Sequence, residues 1–259
     1  MSKYFILRFE APLQSYSCGG TMKLRETSQF PTKSAVVGIL GCAFGIDRKN
    51  VKGLSELSQS FSMAVRADKD IRKIKDFQTV DVKHKEIGIN KGISVEAWKN
   101  GYIPNKDKKE RGKEKDDIYK GDKDLKTIRK EYLSDAGFTV LLSGSDEFLD
   151  KCDKALRNPK WVCSLGRSSC LPSRPIFASK TEIKYVEAES FKEAMKQVPL
   201  IEKASNHGIY MVEEEITDLS NLEFGTYRRQ YDNVLESTVI GALTYGERLI
   251  RNYNVEVDN

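Results

Sequence analysis

The stretch QFPTKSAVVGILGCAFG, at residues 29–45, constrains the fold more than any other part of this chain. Pro31 holds the residue before it in extended geometry. Thr32 can then cap a helix that begins at Lys33 and ends at a left-handed Gly45. Gly38 costs helix propensity, about 1 kcal/mol against alanine, and so does Gly41. We therefore expect a sheet or another backbone to approach this helix closely.

The start of this helix is also a candidate anion site. Free N–H groups at a helix N-terminus carry partial positive charge, and Lys33 and Ser34 lie beside them. The alternative is an ordinary capped helix packed on a sheet.

The composition of the chain narrows the range of functions it can have. The chain has 259 residues, a formal charge of +5, five cysteines and two histidines. Residues 200–259 hold five basic and eleven acidic side chains, so the basic excess lies in residues 1–199. A basic region of this kind indicates a polyanionic partner. The sequence has no CxxC pair, signal peptide or membrane-length apolar run. We expect no metal and no membrane association, and reduced thiols in the cytoplasm.

The order of apolar segments predicts an α+β fold. YFILRF at residues 4–9 is typical of a central strand, and FSMAVRA at residues 61–67 alternates as a second strand does. Strand, loop, helix and strand open a ferredoxin-like (RRM-like) split βαβ unit. Residues 132–142 and 148–157 predict a second strand and helix of the same repeat.

A charged segment interrupts this repeat. Residues 104–130 contain eleven basic and seven acidic side chains and almost no apolar ones before Leu125, so we expect a mobile projection. The alternative is a surface loop without a partner. The predicted parts are a body at residues 1–77 and 131–190, a thumb-like insertion at 78–130, and a smaller C-terminal β-rich part at 191–259.

Two loops carry the residue types that bind nucleic acid. The loop at residues 11–27 is rich in Gly, Ser and Gln, and the loop WVCSLGRSSCLPSRP at residues 161–175 places two arginines among small residues. Arginine forks onto phosphate oxygens, and a glycine lets a ligand approach the backbone. Both loops can instead be plain connectors.

Four blocks in this order resemble the CasD family: YFILRFEAPLQSY, FPTKSAVVGILGCAFGI, EYLSDAGFTVLL and LGRSSCLPSRPIF. CasD is the subunit of type I-E CRISPR Cascade that caps the 5′ end of the guide RNA. The resemblance spans roughly residues 3–212, apart from the charged segment.

The resemblance implies a ferredoxin-like RAMP fold with a projecting thumb and no catalysis or cofactor. The implied partners are the guide RNA, the backbone, large and small Cascade subunits, and target DNA in the assembled complex. The candidate thumb contacts are Lys126 and Arg129. The candidate RNA contacts, all polar or basic, are Gln14, Ser15, Tyr16, Arg25, Lys33, Ser34, Arg167, Ser168 and Ser169.

Two other functions compete with this one. A metal-independent endoribonuclease that processes precursor CRISPR RNA needs a general base and a general acid. His84 beside Lys83, with Tyr16, supplies those types, although a lone histidine in a charged loop is usually just solvated. A mononucleotide-binding protein could use the glycine-rich helix, but no Walker pattern precedes it.

Overall fold

The structure is a computed structural model that describes most of the chain. The described residues are 1–19, 21, 23–81, 125–179, 181–201, 208–220, 223–236 and 243–257. They fall into two compact units: the first holds residues 1–19, 26–74 and 131–259, and the second holds residues 20–25 and 75–130.

The described part of the chain contains eleven strands and four helices. The strands are β1 (Ser2–Glu10), β2 (Leu13–Gln14), β3 (Leu24–Arg25), β4 (Phe61–Ala67), β5 (Arg72–Asp81), β6 (Leu125–Ser134), β7 (Gly137–Gly144), β8 (Tyr185–Ala188), β9 (Gly208–Ile216), β10 (Thr226–Glu236) and β11 (Leu243–Val257). The helices are α1 (Lys33–Phe44), α2 (Val51–Gln59), α3 (Asp146–Arg157) and α4 (Phe191–Gln197).

Seven strands form one antiparallel sheet in the order β10-β11-β9-β4-β7-β1-β8. The central strands of this sheet consist almost entirely of apolar residues, because both faces of the sheet are covered. One face packs against α1, α2 and α3 through Phe5, Leu40 and Leu142, among others. The other face packs against α4 through residues such as Ile6 and Met195. The α+β prediction is therefore confirmed, and the three C-terminal strands extend this same sheet.

The central helix forms as the sequence predicts. The Thr32 side chain accepts a hydrogen bond from the backbone N–H of Ala35, and Gly45 closes the helix in the left-handed conformation, with φ 74°. A Cβ on Gly41 would lie 3.1 Å from Leu54 Cδ2, so this glycine lets α2 pack closely. A Cβ on Gly38 would meet nothing within 4 Å. Packing within the described chain therefore explains one of the two glycines.

The segment at residues 132–142 differs from its prediction as a single strand. It contains the end of β6 and the first part of β7, joined at Asp135, whose φ is 52°. Asp is one of the few residue types that adopt this left-handed conformation. The turn separates the buried residues Leu133 and Phe138, so both apolar runs remain in the core.

Two buried arginines fasten α4 to the sheet. Arg66 is fully buried on β4 and donates to the backbone carbonyls of Met195 and Val198, near the end of α4. Its Nε also donates to Asp68, at 2.7 Å, and Arg8 Nη1 lies 3.4 Å from the same carboxylate. Buried charges are costly unless they are paired and hydrogen-bonded, so these contacts stabilise the docking of α4.

Candidate nucleic-acid interface

The two loops that the sequence singles out meet in the first unit. The backbone N–H of Ser15 donates to the carbonyl of Leu165, at 3.2 Å. Gly166 has φ 101°, and a Cβ there would lie 1.7 Å from the Ser15 carbonyl oxygen. The glycine predicted to admit a ligand thus admits the neighbouring loop. We call this contact, formed by Ser15, Leu165 and Gly166, the loop junction.

The final part of β6 supports the loop junction. The backbone carbonyl of Glu131 accepts from Ser15 Oγ at 3.2 Å and from Arg167 Nη1 at 3.0 Å. The Arg167 guanidinium also lies 4.7 Å from the ring centre of Tyr132. A guanidinium held by a carbonyl and an aromatic face has few alternative positions, so Arg167 is preorganised at the junction.

Ser168 and Ser169 follow Arg167 and are exposed, whereas Arg167 is partly buried. Their turn is closed by hydrogen bonds between Cys170 and its neighbours, from Cys170 N to the Arg167 carbonyl at 2.8 Å and from Leu165 N to the Cys170 carbonyl at 2.8 Å. One guanidinium and two hydroxyl groups therefore lie on consecutive residues of an ordered turn, which is a suitable arrangement for phosphate oxygens.

Gln14 and Tyr16 are fully buried behind this surface, so the direct RNA contact predicted for them needs correction. Gln14 Nε2 donates to the carbonyl of Ala136, and the Tyr16 hydroxyl donates to Gln14 Oε1, both at 2.5 Å. Burial raises the pKa of the Tyr16 hydroxyl well above its usual value. In this arrangement the two side chains hold the first loop in place, and Tyr16 is not placed as a general acid or base.

Lys33 lies in a different, buried polar cluster. Its Nζ is 2.6 Å from Glu215 Oε1, and its backbone N–H donates to Asp232 Oδ2 at 2.7 Å. Burial lowers the pKa of the Lys33 ammonium, and the charge of Glu215 opposes this effect. The helix N-terminus considered for a phosphate therefore receives a carboxylate of its own chain, which corrects that prediction.

The Asp232 carboxylate also accepts hydrogen bonds from two more residues of this cluster. Arg248 Nε donates to Asp232 Oδ1 at 2.5 Å, and Gln230 Nε2 donates to Oδ2 at 2.8 Å. Burial alone lowers the pKa of Arg248, but the hydrogen bond and charge of Asp232 outweigh it and raise the pKa. Ser34, half buried, lies next to the cluster, with its Oγ 3.2 Å from Thr32 Oγ1.

The remaining candidates lie on the second unit or outside the described residues. Arg25 is exposed on β3, which pairs in parallel with β6 through Leu24 and Arg129. Arg129 is exposed, with its guanidinium 5.9 Å from the ring centre of Phe77. Lys83, His84 and the side chain of Lys126 lie outside the part that the structure describes.

The carboxylates that organise the buried cluster were missed at the sequence level. Asp232 and Glu215 are buried on strands β10 and β9, far along the chain from Lys33. The run EEE at residues 213–215 was a usable signal, because three acidic residues in one strand place at least one on a buried face. Burial of a carboxylate there requires a cationic partner.

Three further features bear on the chemistry available to the described residues. No group of three or more His, Cys, Asp or Glu side chains suited to a metal ion occurs among the residues whose placement is described. None of the four helices has the length and hydrophobicity that a membrane span requires. All five cysteines carry free thiols.

A family model described as "CRISPR-associated protein (Cas_Cas5)" matches residues 4–239. The chain belongs to this Cas5 family. The curated protein "CRISPR system Cascade subunit CasD" of Escherichia coli (strain K12) is 30% identical over 189 residues, which cover 68% of this chain and 70% of the relative. The assignment to the CasD family made from the four sequence blocks is confirmed.

Solved structures also share the fold of this Cas5-family chain. A chain of "CRISPR RNA-guided surveillance complex" has a TM-score of 0.64 at 23% identity, and the match covers 98% of this chain and 90% of that one. "Crystal structure of Cas protein" has a TM-score of 0.59 at 23% identity, covering 97% and 94%. Both matches extend over the C-terminal strands as well as the body.

Proposed function

We propose that this Cas5-family chain is a non-catalytic, RNA-binding subunit of a CRISPR Cascade surveillance complex that holds the 5′ handle of the guide RNA. Its likeness to the Cascade subunit CasD supports the role in the complex. The loop junction, with Arg167 held by the Glu131 carbonyl and the Tyr132 ring, is the observation that supports RNA binding.

The proposed assembly follows from that role. Its partners are the guide RNA, the backbone, large and small subunits, and target DNA once the complex is assembled, all in the cytoplasm, where free thiols are stable. We assign residues 78–130 to a thumb that contacts a neighbouring subunit and residues 1–77 and 131–190 to the RNA-binding body.

We also assign the body to the ferredoxin-like class. Taken in chain order, with β2, β3, α2, β5 and β6 set aside, the elements β1, α1, β4, β7, α3 and β8 make two strand–helix–strand units. Their strands lie in the order β8-β1-β7-β4 within the larger sheet. This is the strand order of a ferredoxin-like split βαβ domain, in which the two units interlock. The interlocking brings the loops after β1 and after α3 to the loop junction.

Phosphate recognition is the chemistry we assign to the loop junction. The guanidinium of Arg167 would bond phosphate oxygens, and the hydroxyls of Ser168 and Ser169 would donate to the same or the next phosphate. Arg25, exposed on the second unit, is proposed as a further RNA contact, and Lys126 and Arg129 as contacts of the thumb. Gln14, Ser15 and Tyr16 act indirectly, because they position the first loop.

Replacing Arg167 with alanine tests the proposed phosphate contact. The handle sequence is first identified by co-expressing the chain with a CRISPR array and its neighbouring subunits and sequencing the RNA that copurifies. Arg167→Ala should then weaken handle binding by the complex roughly tenfold or more, as expected for a lost charged hydrogen bond. The salt dependence should fall by about 0.7 in log–log slope.

Lys151→Ala is the matched control for this experiment. Lys151 is exposed on α3, where it pairs with Glu147 one turn away, and its loss removes the same unit of charge. Handle affinity and salt slope should stay at the parent values. Unchanged binding by Arg167→Ala would show that the phosphates are held elsewhere.

The non-catalytic assignment predicts that the purified chain in EDTA leaves a repeat RNA intact. Cutting at one position with a 2′,3′-cyclic phosphate end, blocked by a 2′-deoxy substitution and by His84→Ala, would instead establish the metal-independent endoribonuclease. The measurement is gel analysis of end-labelled RNA. His84→Ala should leave the length and ends of the guide unchanged in the complex.

A further inference from the structure

A cavity of 400 Å³ opens beside α1, and the function proposed above does not involve it. Its lining includes Gly38, Trp161, Tyr245, Val37 and Arg48, which come from the helix, the loop after α3, strand β11 and the α1–α2 connection. The volume lies in the range of small-molecule sites, roughly 300–1,000 Å³, and its mainly apolar lining with a few polar groups is also typical of them.

Two exposed aromatic rings line this cavity. Trp161 is 47% exposed and Tyr245 is 56% exposed, although large aromatic side chains gain by burial. Trp161 is placed by its backbone, because Trp161 N donates to the Cys42 carbonyl at 3.2 Å and Lys160 N donates to the Ala43 carbonyl at 3.1 Å. These bonds use carbonyls at the end of α1 and hold the indole at the cavity.

Gly38 supplies an independent argument for an external ligand. It lies inside α1 and is exposed, and a Cβ on it would meet nothing within 4 Å. A glycine in a helix interior lowers stability, and no neighbour in the described chain requires one here. Gly41 differs, since α2 packs on it. The bare backbone at Gly38 is part of the cavity lining.

The charges at the cavity favour a polyanion. Arg48 lines it, and the exposed residues Lys49 and Lys160 are the chain neighbours of Arg48 and Trp161. Lys52 pairs with Glu56 at 3.9 Å, and Asp47 is the other acidic residue of this segment. Aromatic rings beside basic side chains are the usual means of binding single-stranded nucleic acid, because bases stack on the rings while cations contact phosphates. An apolar peptide would need the rings but not the cations.

We propose that this cavity binds a nucleobase of a single-stranded nucleic acid, stacked on Trp161 or Tyr245, with Arg48 contacting an adjacent phosphate. The inference rests on the proposed function for the source of the strand. Trp161 and Arg167 are six residues apart, so their Cα atoms are separated by at most about 22 Å. A strand held at the loop junction would therefore reach the cavity within a few nucleotides.

Trp161 itself can report on this binding. The sequence contains two tryptophans, Trp98 and Trp161, so the full-length Trp98→Phe variant has one indole, at the cavity. Titration with a uridine hexamer or a thymidine DNA hexamer should quench its fluorescence to saturation. Preference for one of the two identifies the strand as RNA or DNA, and equal binding supports a base-only contact. Inorganic phosphate should have no effect.

Gly38 offers a matched pair of variants in the same background. Gly38→Leu should place an isobutyl group in the cavity and weaken hexamer binding about tenfold, the order expected for losing one stacked base. Gly38→Ala adds one methyl group into open space and should keep affinity close to the parent value. Both variants should melt at the same temperature as the parent or higher, because both side chains favour the helix. Arg48→Ala should lower the salt slope.

The outcomes separate this site from the loop junction. If neither hexamer alters Trp161 fluorescence while Arg167→Ala still weakens handle binding, the cavity proposal fails alone and an apolar side chain of a protein partner is left as the occupant. If handle binding is indifferent to Arg167 while the hexamers still quench, the junction proposal fails and the cavity stands. Equal affinity for Gly38→Leu and the parent would also overturn the cavity proposal.

Discussion

Replacing Asp232 with alanine is expected to lower the free energy of unfolding by about 3–5 kcal/mol. The carboxylate accepts two hydrogen bonds from the Arg248 guanidinium and one from the backbone N–H of Lys33. Because the Arg248 side chain is only 6% exposed, its buried charge would lose the carboxylate to which it is hydrogen-bonded. Urea unfolding followed by circular dichroism measures the change.

Glu247→Ala is the matched control for Asp232→Ala. Glu247 lies on β11 near Arg248, and its carboxylate pairs with Arg229 Nε at 3.2 Å, with both side chains well exposed. Exposed pairs contribute about 0–1 kcal/mol, so this variant should unfold close to the parent. A loss of stability in Asp232→Ala no larger than in this control would contradict the central role assigned to the buried cluster.

Gly166→Ala should lower both the stability of the chain and its affinity for RNA. Its Cβ would overlap the Ser15 carbonyl oxygen at 1.7 Å, so the two loops must separate. We expect a cost of about 1–3 kcal/mol, as for a residue forced into a strained backbone. We also expect at least a tenfold loss of handle affinity, because Arg167 moves with the loop. Thermal melting and anisotropy with labelled handle RNA measure the two effects.

Gly19→Ala separates backbone strain from steric overlap. Gly19 has φ 125°, but a Cβ there would meet nothing within 4 Å. This variant should carry only the conformational cost and should bind handle RNA close to the parent level. If Gly166→Ala proves as mild as Gly19→Ala in both measurements, close contact between the two loops is not required for binding.

Asp232 and Gly166 belong to two different kinds of contact within the first unit. The buried cluster ties the C-terminal strands β9, β10 and β11 to the start of α1 through charges excluded from water. The loop junction ties two surface loops together through backbone contact. Asp232→Ala should therefore reduce stability more than it reduces handle affinity at temperatures where the variant stays folded, whereas Gly166→Ala should reduce both.

Local interactions explain what could be predicted from the sequence. The helix at Lys33–Phe44, its Thr32 cap and its Gly45 end depend on residues within one or two turns, so their pattern is visible in a few consecutive letters. The strands around residues 4–9 and 61–67 follow from apolar content in the same way. Four such blocks in order were enough to identify the family.

Long-range pairing explains what only the tertiary structure decided. The partner of the Lys33 backbone N–H is Asp232, 199 positions along the chain, and Gly166 meets Ser15 across the fold. The side chains of Lys33, Gln14 and Tyr16 are of types that can either contact RNA or form hydrogen bonds inside the protein. Burial determines which role each side chain has, and burial depends on which strands become neighbours. Sequence determined the elements, and strand pairing decided that Lys33 faces a buried carboxylate while Arg167 stays partly exposed.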